Sequence, residues 1–286
     1  MKQSITSESW DMVIEPKAKS LYIPWKDLWE FRDLLYMFVK RDVITVYKQT
    51  ILGPVWYVLQ PIMTTIIYMF VFGRIAGIST DGVPQVLFYL SGITIWNYFS
   101  ECFNTTSKTF RENAGLFGKV YFPRLIMPLA KTLSSLLKFL IQFALLISVW
   151  VYMLWTGKVE FKANEGMLLI PVYLFIMAGL GLGLGIIFTS MTTKYRDLTF
   201  LIQFGVQLLM YASPVIYPIS TVPAKYQTLL MFNPLSPVLE GLRHAFFGVG
   251  DADPTFLLYS IVFMLVTLLS GIVVFNRTER KFIDSI

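Results

Sequence analysis

Apolar residues fall into long runs at about 55–72, 86–103, 126–155, 167–190, 198–217 and 255–275, separated by short polar connections. A bilayer core takes about 20 apolar residues per helix, so each run is close to the length needed to cross. The pattern predicts an all-α integral membrane protein with six transmembrane helices. Residues 25–47 read differently. Lys26, Glu30, Asp33 and Lys40 recur at helical spacing on one face, and Trp25, Leu28, Trp29, Leu35 and Phe38 lie largely on the other. Such a segment is an amphipathic helix that lies along a membrane surface. Thr50-Ile51-Leu52-Gly53-Pro54 then breaks the pattern, and Pro54 opens a new helix, where its missing N–H costs nothing. The chain is expected to run along the surface, bend at Gly53 and Pro54 like an elbow, and dive.

Residues 1–24 form a polar N-terminal segment without the apolar core of a signal peptide. The domain proper is expected to cover 25–286. Pro61 removes one backbone hydrogen bond and should loosen the first span. The segment 104–124 is the longest connection predicted on the basic side. In the fourth span, Gly179/Gly183 and Gly181/Gly185 make two overlapping small-xxx-small pairs, which permit close helix contact. Residues 218–250 are rich in proline, and their apolar stretches at 226–232 and 238–247 are too short to cross. They read as two short re-entrant or interfacial helices on the outer side.

Composition agrees: 55% of residues are hydrophobic and 15% charged, which excludes an ordinary soluble domain. The net charge of +6 is not a nucleic-acid signal, because the basic residues sit at the ends of apolar runs. Seventeen lysines and arginines fall on the side of the N-terminus, 104–124, 191–197 and the tail, against five opposite. The asymmetry places both termini in the cytoplasm, and an even number of spans satisfies it. The remaining two, Lys131 and Lys138, are seven residues apart on one face of the third span. Lys131 is expected to snorkel to the surface, and the deeper Lys138 to face protein or a cavity. Glu101, near the end of the second span, is costly there unless paired or wet; it is expected to pair with Lys108 or another nearby base, or to face a translocation path.

Catalytic chemistry is missing. Gly115-Leu116-Phe117-Gly118-Lys119 has neither the spacing nor the following Ser/Thr of a phosphate loop. The only histidine, His244, and the only cysteine, Cys102, cannot assemble a metal cluster, and no disulfide is possible within the chain. No cofactor is expected on this chain. Trp25, Trp29, Trp56, Trp96, Trp150 and Trp155 fall near predicted boundaries, as interfacial belts do. Some aromatics instead suit a path that holds sugars by ring stacking. Trp56, Tyr57, Gln60, Tyr68, Trp96, Tyr98 and Tyr211 are the candidates for a translocation path.

Several strings bear a resemblance. Leu28-Trp29-Glu30-Phe31-Arg32-Asp33, Arg41-Asp42, and Tyr47 through Trp56 with Gln60-Pro61 form one block; Asn113 through Arg124 with Pro128-Leu129-Ala130 forms a second. Lys194-Tyr195-Arg196-Asp197, Ser213 through Pro218, Asn233 through Pro237 and Glu240 through Arg243 follow in order. Together they resemble the membrane subunit of ABC exporters for bacterial surface polysaccharides of the O-antigen, capsule or teichoic-acid type. The resemblance implies a homodimer in the cytoplasmic (inner) membrane, bound to two ATP-binding cassette subunits that carry ATP and Mg. It implies a lipid-linked polysaccharide substrate and gate helices at 218–250. It also implies that 104–124 docks on the ATPase, through Asn113, Leu116, Phe117, Lys119, Tyr121, Phe122, Pro123 and Arg124. The elbow, with Trp29, Arg32, Asp33, Arg41, Asp42, Gly53 and Pro54, would be the second contact. The rivals are an ABC efflux permease for a drug or lipid, a membrane enzyme of lipid-linked sugar metabolism, and a passive channel. The second needs clustered acids or histidines at one face, and the closest pair, Asp251 and Asp253, sits in a loop.

Overall fold

The elbow forms as two nearly continuous helices, α1 (Trp25–Glu30) and α2 (Arg32–Lys48), in a computed structural model that describes residues 25–48, 53–117, 122–160, 164–192, 195 and 197–283. Hydrogen bonds from Phe31 N–H to Asp27 O and from Leu35 N–H to Phe31 O bridge the slight break between them. The remaining α-helices are α3 (Val55–Tyr68), α4 (Gln85–Thr106), α5 (Thr109–Glu112), α6 (Ala114–Phe117), α7 (Ile126–Trp155), α8 (Ile170–Thr192), α9 (Leu198–Tyr211), α10 (Ala224–Met231), α11 (Ser236–Phe247) and α12 (Pro254–Ile283). No strand occurs among the described residues. Four segments are long and apolar enough to cross a membrane: Val55–Ile75, Ile126–Trp155, Glu165–Thr192 and Pro254–Thr278. The chain is a multi-pass membrane protein.

α4 and α9 complete the apolar set but differ from the other four. Fifteen of the 22 residues of α4 are buried, Thr94 among them. α9 has 14 residues and spans about 21 Å. It ends at Tyr211, six residues before the boundary read from the apolar run. Pro214 is the reason: the residue before a proline avoids the helical region, and proline donates no backbone bond. Asn233 Nδ2 takes up the freed acceptors, donating to Ala212 O at 3.2 Å and to Ser213 Oγ at 2.8 Å.

α8 sits between α4 and α12, and its glycines decide how closely. Cβ atoms at Gly179 and Gly183 would collide with Met264, Thr267 and Leu268 of α12; at Gly181 and Gly185 they would collide with Phe99, Cys102, Phe103 and Thr106 of α4. One glycine pair therefore serves each neighbour, so the two overlapping pairs in the sequence are two contact faces. From α12, Gly271 returns the contact, 2.8 Å from Gly183 O to its would-be Cβ.

Three other expectations change form. The 104–124 connection is not bare loop, since α5 and α6 fold within it and Phe110 stacks on Phe275 of α12 at 4.6 Å. Helix α3 continues through Pro61 and widens into a π-helical stretch, Met69–Ile75, with Ala76 N–H reaching back to Val71 O. The short helices of 218–250 do form, but they differ from each other. Only Met231 of α10 is buried, whereas eleven of the twelve residues of α11 are. α11 is a core helix that packs on α4, α8, α12 and Glu165–Leu169, and Gly248 at φ 67° ends it.

Replacing Gly183 with alanine puts a methyl 2.9 Å from Leu268 N and 3.0 Å from the Thr267 carbonyl carbon, backbone atoms that cannot swing aside. Gly183→Ala should destabilise the protein by about 1–3 kcal/mol. Gly205→Ala, in open space on α9, should be neutral or stabilise by about 0.4–1 kcal/mol. Thermal unfolding in detergent checks the pair; equal effects at the two sites would refute the close-packing account.

Candidate functional site

The elbow and the 104–124 segment meet at one end of the bundle. Phe38 of α2 packs on Phe122 at a ring distance of 5.8 Å. Around them Phe110, Leu125, Ile126, Met127, Ala130, Ile186 and Phe275 form a second core, separate from the main one. α2 thus lies against α7 rather than free on a surface. The expected docking residues divide accordingly. Phe122 is buried inside the chain, Leu116 is half-buried against the same core, and Asn113 is buried with its Nδ2 donating to Thr109 O at 2.9 Å. Pro123 and Arg124 are partly exposed. Phe117 ends α6, but its side chain, like Lys119 and Tyr121, lies outside the described residues. On the elbow, Trp29 and Asp33 are exposed, and Arg32 donates to Trp29 O and stacks over its ring at 5.6 Å. Gly53 takes φ 48°, a left-handed turn suited to glycine, and Pro54 starts the next helix as expected.

Beside this core a cavity of about 860 Å³ opens between α2, α3, α4, α5 and α7. Two ion pairs stitch its walls. Lys131 Nζ lies 3.0 Å from Asp42 Oδ2, joining α7 to α2, and Lys138 Nζ lies 3.1 Å from Glu101 Oε2, joining α7 to α4. Asp42 also holds Arg41, at 2.9 Å, and Lys138 stands 5.3 Å from the centre of the Tyr57 ring on α3. The expected face of Lys131 and Lys138 is therefore a polar stripe on the cavity wall. The base that answers Glu101 is Lys138, 37 residues away, which no sequence spacing marks. Deeper along the same seam, Asn97 Nδ2 donates to Gln142 Oε1 at 3.3 Å.

The seven path candidates do not share one surface. Trp56, Gln60 and Tyr211 are exposed, on α3 and α9. Tyr57 lines the cavity. Tyr68 is half-buried and joins α3 to α9, its hydroxyl 3.8 Å from Met210 Sδ, and to α4 through the Tyr89 ring at 6.2 Å. Trp96 and Tyr98 are buried in the main core, on Phe99 and Phe139, away from any surface in this conformation. Trp96 and Trp150 are likewise inside the fold rather than in an interfacial belt, while Trp25, Trp29, Trp56 and Trp155 are exposed.

At the opposite end of the bundle, α11 carries a buried ion pair. Arg243 Nη1 lies 3.0 Å from Glu240 Oε1, and each residue is 2% exposed. Arg243 also donates to Val215 O at 2.8 Å and stacks over the Phe88 ring at 3.8 Å. Gly92 of α4 makes room, since a Cβ there would meet Val215 O at 2.7 Å and the guanidinium at 3.1 Å. Burial pushes the Glu240 carboxyl up and the Arg243 guanidinium down from their usual ranges, and each partner pulls the other back. Arg243 is one of the five basic residues that the sequence places opposite the termini, and the fold buries it. Its available signal was the i,i+3 placement of Glu240 and Arg243 on an otherwise apolar stretch. Among the described residues no group of three His, Cys, Asp or Glu side chains comes together to hold a metal.

The family model described as "ABC-2 type transporter" matches residues 33–247. The "O-antigen export system permease protein RfbA" of Klebsiella pneumoniae is 26% identical over 255 residues, 88% of this chain and 94% of that protein. The protein of the same name from Myxococcus xanthus is 24% identical over 266 residues, 91% and 98% of the two chains. The "Polysialic acid transport protein KpsM" of Escherichia coli is 25% identical over 246 residues, 86% and 93%.

Removing one partner of a buried ion pair strands the other. Arg243→Met should destabilise the fold by about 3–5 kcal/mol, and adding Glu240→Gln should recover part of that loss. Phe38→Ala empties the contact under Phe122 and should cost about 3–5 kcal/mol. Thermal unfolding of the purified variants checks both.

Proposed function

The chain belongs to the ABC-2 type transporter membrane family, and from that premise we propose that it is the transmembrane subunit of an ATP-driven exporter of lipid-linked polysaccharide. One observation carries the reading: relatives named for O-antigen export and polysialic acid transport align with 86% to 91% of this chain and with 93% or more of themselves. The family match at 33–247 takes in the 104–124 segment, every residue lining the cavity and α11.

On this reading the chain is a permease without an enzymatic step of its own. Two copies pair in the inner membrane with two separate ATP-binding subunits, which hold ATP and Mg. Six spans cross: α3, α4, α7, α8, α9 and α12, with α10 and α11 at the outer side as a gate and both termini in the cytoplasm. Lysine and arginine asymmetry supports the orientation. The shared core of Phe38, Phe110 and Phe122 supports a docking role for 104–124, because a push on that segment reaches the elbow, α7 and the end of α12 through direct packing. Exposed groups there, Arg124 and Pro123 among them, would face the ATPase, and the buried Phe122 would carry load inward. α3 and α9 are the helices proposed to line a path between two copies. Each leaves large apolar side chains exposed, Met63, Ile66 and Ile67 on α3 and Phe200, Phe204 and Leu208 on α9. Lipid-linked chains would load beside the elbow, and the polymer would pass between the copies segment by segment.

In cells that depend on this chain for surface polysaccharide, Arg124→Glu should leave the protein in the membrane but lower export roughly tenfold, the loss expected for a coupling contact worth about 1.4 kcal/mol. Unchanged export and unchanged co-purification with the ATPase would exclude docking through 104–124. Cysteines at Ile67 and Leu208 should cross-link between copies in at least one nucleotide state; none in any state excludes the α3–α9 path. Surface polysaccharide that persists when the chain is deleted would defeat the export reading itself.

A further inference from the structure

We propose that Asp81 and Ser220 form a latch at the outer end of the bundle, with Asp81 the positioning residue that holds the segment 218–231 closed. The inference rests on the reading of 218–250 as an outer gate and names what fastens its first part. Ser220 Oγ lies 2.8 Å from Asp81 Oδ1 and 2.6 Å from Asp81 Oδ2, across 139 residues of chain. The contact joins the connection between α3 and α4 to the turn Ile219–Thr221, which leads into α10.

The backbone at Asp81 is the first argument. It takes φ 53°, and among the described residues no other residue but glycine has a positive φ. Aspartate visits this left-handed region where its short side chain can bond locally. Here both carboxylate oxygens turn to Ser220 instead. The surrounding turn is stiff. Asp81 N–H donates to Ser79 Oγ at 3.1 Å, Thr80 Oγ1 to Val83 O at 2.6 Å, and Val83 N–H to Thr80 O at 3.0 Å. Val83 is buried in the main core, which anchors the turn to the bundle. A strained residue on an anchored turn is thus aimed at one hydroxyl.

The segment that it holds has few other ties. Of the eight residues of α10 only Met231 is buried, and Tyr226 and Leu229 are exposed. Thr221 Oγ1 donates to Pro218 O and Gln227 Nε2 to Val222 O, bonds that stay within the segment. Its far end is fixed by Asn233, which reaches Ala212 and Ser213, and by Phe232, whose ring meets those of Phe256 and Tyr259 at 6.2 and 5.8 Å. At the near end Ile219 is buried, and Ser220 supplies the bond to Asp81. Elements with few buried apolar contacts are the first to open, so a single contact at the near end decides how often α10 leaves its place.

The chemistry suits a contact that opens and closes. One hydroxyl proton serves two carboxylate oxygens, which leaves acceptor capacity for water. Ser220 is exposed and Asp81 half-buried, so opening strands no buried charge. The sealed pair Glu240 and Arg243 stands within electrostatic reach of Asp81, yet it cannot part without leaving a charge buried.

The test uses the full-length chain in phosphatidylcholine nanodiscs, with amide hydrogen exchange read by peptide mass spectrometry. Ser220→Ala and Asp81→Gly should each speed exchange across 219–231 about tenfold, the factor expected for one hydrogen bond to a charged group. Glycine keeps the left-handed turn, so the second variant removes the carboxylate without unfolding the connection. The two together should add little to either alone, because they remove one contact from its two sides. Thr221→Ala, which loses a bond inside the segment, should change exchange by less than about twofold. Unchanged exchange in the first two variants, effects that multiply when they are combined, or equal acceleration by Thr221→Ala overturns the latch. In cells, Asp81→Cys with Ser220→Cys, bridged by a short bifunctional thiol reagent, should stop export, and reductant should restore it; Cys102 is buried and stays out of the reaction. Normal export through a chain shown by mass to be bridged overturns the proposal, since a gate held shut passes no polymer. Surface polysaccharide that persists when the chain is deleted removes the export reading alone and leaves the contact, as read by exchange, in place.

Discussion

Close approach of helices is the constraint on which this structure depends. In a membrane the apolar effect does not drive helix against helix, because lipid tails are as apolar as leucine. Contact must come from dense packing, and density requires that backbones come near. α8 meets this with alternating glycines: Gly179 and Gly183 turn to α12, and Gly181 and Gly185 turn to α4. The helix behaves as a spacer of minimal thickness between two neighbours. Its contacts set the positions of α4, which carries Glu101 and Gly92, and of α12, which carries Phe275. The polar cavity at one end and the Arg243 cluster at the other are therefore both built on the same central packing.

Polar groups then mark where that packing is specific. Ionisable residues inside a membrane protein are expensive, and Asp42, Glu101, Lys131, Lys138, Glu240 and Arg243 are matched across helices or within α11. Lys131 answers Asp42 and Lys138 answers Glu101 in the half-open cavity. Arg243 and Glu240 are sealed, and the guanidinium further engages a carbonyl and a phenyl ring. The two arrangements differ in consequence. A sealed pair holds one geometry, fixing α11 to α4 and to the turn after α9. An accessible pair can exchange partners.

The end of the bundle that holds α5 and α6 joins parts that are far apart in the chain. Phe38, Phe122 and Phe275 come from the elbow, the 104–124 segment and the last helix, and share one core. Aromatic residues in a polar connection look like an external binding surface when the sequence is read alone. Here Phe122 is used inwardly, buried against Phe38. One short stretch thus holds both the proposed docking face and its internal support.

Sequence alone determined a good deal. Runs of apolar residues are local, and a helix of that length has few alternatives in lipid, so α3, α7, α8 and α12 could be located and α7 bounded at 126–155. Gly53-Pro54 placed the elbow, and the glycine spacing marked α8 as a contact helix. The absence of a phosphate loop and the family strings directed the reading to a transport subunit. Partners in space were not legible, since they depend on which helix faces which. Lys138 finds Glu101 across 37 residues, Arg243 is buried as a core residue, and Trp96 and Tyr98 turn inward. α11 reads as too short to cross, yet it is nearly all buried, because burial comes from α4, α8 and α12 around it rather than from its own length. Periodicity tells a helix that it has faces; only the assembled bundle assigns each face a neighbour.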